Sequence, residues 1–260
     1  MNFTDQMNRT IRLQSTPSRI VSLVPSQTEL LFDLGLEKEV VGITKFCIHP
    51  NNWFQNKTRV GGTKNVNFEQ IDKLNPDLII ANKEENTEIE IKQLMKEYPV
   101  WISDIQNLED ALEMIFLIGE VTQTNQKALT IISSIQKEFE LLKHQNNRKT
   151  AYFIWKKPMM SINKSRFIHD MMNRCGFENV FASANCDYPN ISKEQLQKAN
   201  PEIILLSSEP YPFKEKHMEK FQEICPTAII KLVDGELFSW YGSRLQYAPN
   251  YFQKILKSIA

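Results

Sequence analysis

The side chains that could do covalent or metal chemistry are few and dispersed. His49, His144, His169 and His217 have no ligand-type neighbour three or four residues on, and Cys47, Cys175, Cys186 and Cys225 show no CxxC spacing. A metal centre needs such groups converging with defined geometry, so no direct metal site is expected. GxSxG and HExxH are absent, no motif pairs a cysteine with a histidine, and catalysis is not expected. With eight glycines and neither GxGxxG nor GxxxxGK[ST], nucleotide-phosphate binding has no support either. What the chain does offer is aromatic, cationic and sulfur-bearing side chains in short segments between regular elements. Their chemistry would be recognition: apolar area from the rings and point charges from lysine and arginine.

Those segments are placed by the elements before them. RIVSLV (19–24), VVGIT (40–44), DLIIA (77–81) and PVWIS (99–103) read as buried strands, with helical patterns between them. The alternation predicts a parallel sheet covered by helices. From Leu108 to His144 the pattern is helical nearly throughout, with a break near Thr122–Gln123–Thr124, and Leu129, Ile132, Ile135, Phe139 and Leu142 share one face. Alternation then resumes with TAYFIW (150–155), EIILLS (202–207), TAIIKLV (227–233) and a C-terminal helix through Phe252 and Ile255. The expected fold is α/β: two Rossmann-like lobes, each on a mostly parallel sheet, joined by one long helix. Residues 1–121 form the first lobe, 122–148 the link and 149–260 the second.

A repeat supports two related lobes. NFEQIDKLNPDLII (67–80) returns as SKEQLQKANPEIIL (192–205), with Glu69/Glu194, Gln70/Gln195, Lys73/Lys198, Asn75/Asn200, Pro76/Pro201 and Ile79/Ile204 identical. Each copy reads as a capped helix, an Asn-Pro stop and a strand. The repeat is architectural and carries no chemistry.

In open α/β sheets, ligands lie beyond the C-terminal ends of the strands. That rule selects PSQTE (25–29) with Pro25, KFCIHP (45–50) with Phe46, and GGTKN (61–65) with Lys64. In the second half it selects WKKPMM (155–160), SEPYPF (208–213) and DGELFSWYGSR (234–244). Ser26-x-x-Glu29 reads as a capping box. Trp240 and Tyr241 lie in a predicted loop, where they face a ligand or pack inward. Arg244 meets either an anionic ligand group or a protein carboxylate.

Thirty-one basic residues balance thirty-one acidic ones, so nucleic acid and membrane surfaces are not expected partners. No apolar run is long enough to span a bilayer, and the polar start MNFTDQMNRTIRLQ lacks the apolar core of a secretory signal.

RIVSLVPSQTELLFDLGL, NPDLIIA, the long helical link, RCGFENVF and NPEIIL, in that order, resemble the class III periplasmic binding proteins of ABC importers, nearest the vitamin B12-binding branch. The resemblance runs from about residue 9 to 260. It implies a monomeric binding protein without catalysis or an intrinsic cofactor. Its ligand would be a metal chelate (cobalamin, a ferric siderophore or haem) held between the lobes and handed to a membrane permease. Phe46, Trp155, Met159 and Arg244 match ligand-contact positions, and Glu88 and Glu215 match the acids that dock on the permease. Thr63 stands where the B12 branch has a tryptophan. Periplasmic residence is implied, whereas a native start at Met1 would imply a cytoplasmic scavenger or sensor. A two-lobed enzyme is the remaining alternative.

Overall fold

The computed structural model describes residues 1–143 and 147–259. The expected end of the helical run at His144 lies outside the described residues. The chain folds into two compact units. The first comprises Met1–Ile105, Glu109–Gln136 and Tyr241–Gln246; the second comprises Gln106–Leu108, Lys137–Trp240 and Tyr247–Ala260.

The first unit is built on a five-stranded sheet in the order Thr58–Arg59, Val40–Ile43, Ile20–Ser22, Leu78–Asn82, Val100–Ser103. Every pairing in it is parallel. All five residues of Leu78–Asn82 are buried, as a strand covered on both faces requires, and this is why it reads as an unbroken apolar run. Val21, Leu23, Ile71, Ile79, Ile91 and Leu94 belong to the core on one side of this sheet.

The edge strand Val100–Ser103 is closed by the N-terminal hairpin, Asn2–Thr4 against Thr10–Arg12. Asp5, buried there, accepts the Ile102 N–H at 3.2 Å, and Arg9 donates to the Val100 carbonyl at 2.8 Å. Two free hydrogen-bonding groups of an edge are thereby satisfied by a carboxylate and a guanidinium.

The second unit carries a four-stranded parallel sheet in the order Phe177–Asn179, Arg148–Phe153, Ile203–Ser207, Ile229–Val233. Phe153, Phe181, Phe213 and Phe221 fill its core with Leu196, Ile204 and Leu206.

The helical run breaks near Thr122–Gln123–Thr124 as expected, into Leu108–Val121 and Asn125–Glu140, the second of which lies within the 122–148 link. Gln123 between them takes a left-handed conformation, φ 57°, which ends one helix and lets the next start at a new angle.

The repeat has the same local geometry in both units. The helix Phe68–Leu74 ends at Asn75 (φ 44°), and Lys193–Ala199 ends at Asn200 (φ 45°). Asparagine tolerates this left-handed region better than most residues, and proline follows each time. The capping differs: Ser192 and Gln195 form the full reciprocal box, whereas Asn67 only accepts from the Gln70 N–H.

Candidate functional site

At the C-terminal edge of the first sheet, a buried polar network fixes the turns that carry the candidate residues. Asn82, the last residue of its strand, accepts the backbone N–H groups of Glu84 and Glu85 at 2.8 and 2.9 Å. Its amide donates to Ser103 Oγ at 2.9 Å, and Gln27 donates to the same hydroxyl. Asn86 reaches the Thr63 carbonyl at 2.9 Å, and Lys64 Nζ donates to the Glu84 carbonyl at 2.6 Å. The GGTKN loop and the NKEEN turn are therefore tied to each other.

Phe46 joins this group. Its ring lies over Gly62, where a β-carbon would come within 3.2 Å of it, and the ring is 51% exposed. Lys45 Nζ sits 5.1 Å from its centroid. The structure thus brings Phe46 and Lys64 to neighbouring loops at the strand ends, with Phe46 half exposed.

Pro25 opens the helix Pro25–Asp33 at its first position, where its missing N–H costs nothing. That start places Ser26 inside the helix, so the expected capping box is absent and Val24 is the N-cap. Glu29 instead receives Arg244, whose Nε and Nη2 donate at 2.8 and 2.7 Å. Of the two partners open to Arg244, the structure supplies the protein carboxylate. Burial lifts the Glu29 carboxyl above its ordinary value and outweighs the pull of Arg244.

The stretch expected as a loop is helical: Glu236–Ser239 is a short α-helix and Ser243–Gln246 a 3-10 turn. Gly242 is needed there because a β-carbon would lie 2.6 Å from the Ser26 carbonyl. Trp240 and Tyr241 are 8% and 6% exposed. Trp240 Nε1 donates to Glu209 at 3.0 Å, alongside the Ser239 hydroxyl at 2.6 Å. Desolvation raises the Glu209 carboxyl despite these two donors. Burial likewise pushes the Tyr241 phenol far up.

In the second unit, Trp155 follows the strand Arg148–Phe153 and remains 39% exposed. Its ring meets Tyr211 edge-on at 5.5 Å. Met159 packs partly buried against the aromatic core. Glu88 is fully exposed at the start of the helix Glu88–Leu94 and pairs with Lys92 at 2.7 Å, which lowers its carboxyl pKa. Glu215 is exposed in the turn Glu215–His217.

Sequence reasoning named Glu29 only as a capping partner and did not single out Asn82, Asn86, Glu209 or Tyr211. Glu29, in PSQTE, and Glu209 and Tyr211, in SEPYPF, had a usable signal, since both segments follow a strand. An asparagine that shapes a turn looks like any polar residue. A cavity of about 300 Å³ lined by Arg148, Asn200, Pro201, Glu202, Thr227 and Ile229 lies at the opposite, N-terminal end of the second sheet. Among the described residues no group of three or more His, Cys, Asp or Glu could hold a metal ion, and no helix is long and apolar enough to cross a membrane.

Each of the two units is built on a parallel sheet and carries an exposed aromatic residue beyond a strand end, Phe46 in the first and Trp155 in the second. The model of the periplasmic binding protein family matches residues 20–228, and the chain belongs to that family. A vitamin B12-binding protein of Pectobacterium carotovorum is 24% identical over 239 residues, covering 89% of this chain and 86% of that one. The crystal structure of the periplasmic vitamin B12-binding protein of Vibrio cholerae superposes with a TM-score of 0.81 at 21% identity, over 94% of this chain and 98% of that one. The molybdate-binding protein of a Haemophilus influenzae ABC transporter gives 0.81 at 17% identity, over 100% and 91%. At those identities the two structures establish the shared fold.

Proposed function

We propose that this protein is the substrate-binding component of an ABC-type importer. It captures a corrinoid or an iron chelate and passes it to a permease without altering it. The observation that carries the ligand class is large aromatic surface left open at strand ends, in Phe46 and Trp155. A flat chelate presents broad apolar faces and a polar rim, which rings and a few cations match. The relatives named for vitamin B12 binding support the corrinoid form of this reading. Because the molybdate-binding protein has the same fold, the fold alone does not select a ligand.

In this reading Phe46, Lys64 and Trp155 touch the ligand, with Pro25 and Met159 beside them. Trp240, Tyr241 and Arg244 hold the surrounding structure. Exposed Glu88 and Glu215 are the acids offered to the permease, and in this reading the protein works outside the cytoplasmic membrane. Titration with cyanocobalamin, haemin and a panel of ferric siderophores, followed by tryptophan fluorescence, tests the proposal. Saturable quenching by at least one chelate is expected; silence with every one of them sinks it.

A further inference from the structure

Two loops of the second unit concentrate positive charge around open aromatic surface. Trp155 comes after the strand Arg148–Phe153, and Tyr211 comes after the adjacent parallel strand Ile203–Ser207. Their rings meet at 5.5 Å and 69°. The Trp155 Nε1 proton is already given to the Lys157 carbonyl, at 3.1 Å. What the indole offers outward is therefore ring surface and no donor.

Residues 155–160 and 211–217 contain four lysines (Lys156, Lys157, Lys214 and Lys216) against one carboxylate, Glu215. Behind them His217 is 5% exposed; its Nδ1 accepts the Lys214 backbone N–H at 2.9 Å, and its Nε2 lies 3.4 Å from the Tyr211 hydroxyl. A ring nitrogen that accepts carries no proton, so the imidazole is neutral. Burial first, and then the charges of Lys156, Lys216 and Lys214, hold its pKa below the ordinary value. Lys156, Lys214 and Lys216 thus lie close enough to this neutral aromatic cluster for their charges to act on His217, and Lys157, Lys214 and Lys216 are exposed.

We propose that the Trp155–Tyr211 step, with Lys156, Lys157, Lys214 and Lys216, makes this strand-end surface selective for a flat ligand whose rim is anionic. The ligand plane stacks on the exposed Trp155 indole, which Tyr211 supports edge-on, while rim carboxylates meet the ammonium groups. This rests on the importer reading above and narrows it, since a neutral corrinoid would leave the lysines unused. Exposed ion pairs are weak, so engaging two carboxylates corresponds to roughly tenfold in affinity, about 1.4 kcal/mol in total.

The test compares haemin with haemin dimethyl ester, which has the same plane without the carboxylates, and with cyanocobalamin, all in one mild detergent. The expected result is that haemin binds about tenfold more tightly than its ester at low salt. That gap should close in high salt, and also when Lys156, Lys214 and Lys216 are all changed to Gln. The salt and ester arms use the unaltered protein, so they stand even if the triple variant folds poorly. Equal affinity for acid and ester, or a gap that survives high salt, overturns the charge selectivity while the importer reading stands. Failure of all three ligands, and of the siderophore panel, removes the importer reading and this inference with it.

Discussion

Arg244 and Glu29 form a two-bond ion pair within the first unit, at 2.8 and 2.7 Å, with side chains only 16% and 15% exposed. The pair fixes the Tyr241–Gln246 segment against the helix Pro25–Asp33.

Removing one partner strands a charge out of water. Arg244→Met should destabilise the protein by about 3 kcal/mol in urea unfolding, whereas the double change Arg244→Met with Glu29→Leu should recover most of that. Loss of Arg244 also removes the two largest influences that lower the Glu29 carboxyl, so its pKa rises further above 4.5. The folded single variant then binds a proton more tightly than the unfolded chain. The contribution of Glu29 to its stability is greatest below pH 4.5 and is lost as pH climbs through the folded value. A pH-independent deficit would show that the carboxylate is not desolvated.

The legibility of this chain in its sequence divides along physical lines. Leu78–Asn82 and Ile203–Ser207 were readable because burial on both faces leaves an unbroken apolar run. Phe46 and Trp155 were readable as residues just after a strand. Arg244 and Glu29 are 215 residues apart, and no local pattern links them. Trp240 and Tyr241 looked open because glycines flank them, yet those glycines serve close packing: a β-carbon at Gly235 would meet Ser207 and Glu209, and one at Gly242 would meet Ser26. The hairpin around Asp5 has strands of three residues, too short for any periodicity to show.

His217 and His169 are both held below their ordinary pKa of 6.5, chiefly by burial. The unfolded chain therefore takes up protons that the folded one refuses. Stability is full above pH 6.5 and falls as pH drops below it through the folded values. Urea midpoints between pH 7 and 5 should show the fall, His217→Gln should reduce it, and adding His169→Gln should reduce it again. An unchanged slope in the double variant would assign the acid sensitivity to other groups.

Asp5 accepts from the backbone N–H groups of Met7 and Arg9 at 3.0 and 2.9 Å, besides Arg9 Nε at 3.0 Å and Ile102. Asp5→Ala should cost about 3 kcal/mol, because the donors it satisfied stay buried or lose a charged acceptor. Amide exchange at Ile102 should accelerate in this variant far more than at Ile79, on an inner strand.

The open and the buried aromatics should separate cleanly. Phe46→Ser and Trp155→Ser are expected to weaken chelate binding at least tenfold with little change in thermal midpoint, since half-open rings contribute little to the core. Trp240→Phe should act in reverse, lowering the midpoint by removing the donor to half-buried Glu209 and sparing affinity. The measurement is a paired binding and melting curve for each variant.

The return of Tyr241–Gln246 to the first unit bears on how the gene can be cut. A fragment ending before residue 241 would lack the arginine that Glu29 holds, and a fragment starting after the helical link would carry that arginine with no acid to meet it. Neither half is an autonomous piece of coding sequence, so fusion or exchange with a relative has to trade this short C-terminal stretch together with the first hundred residues.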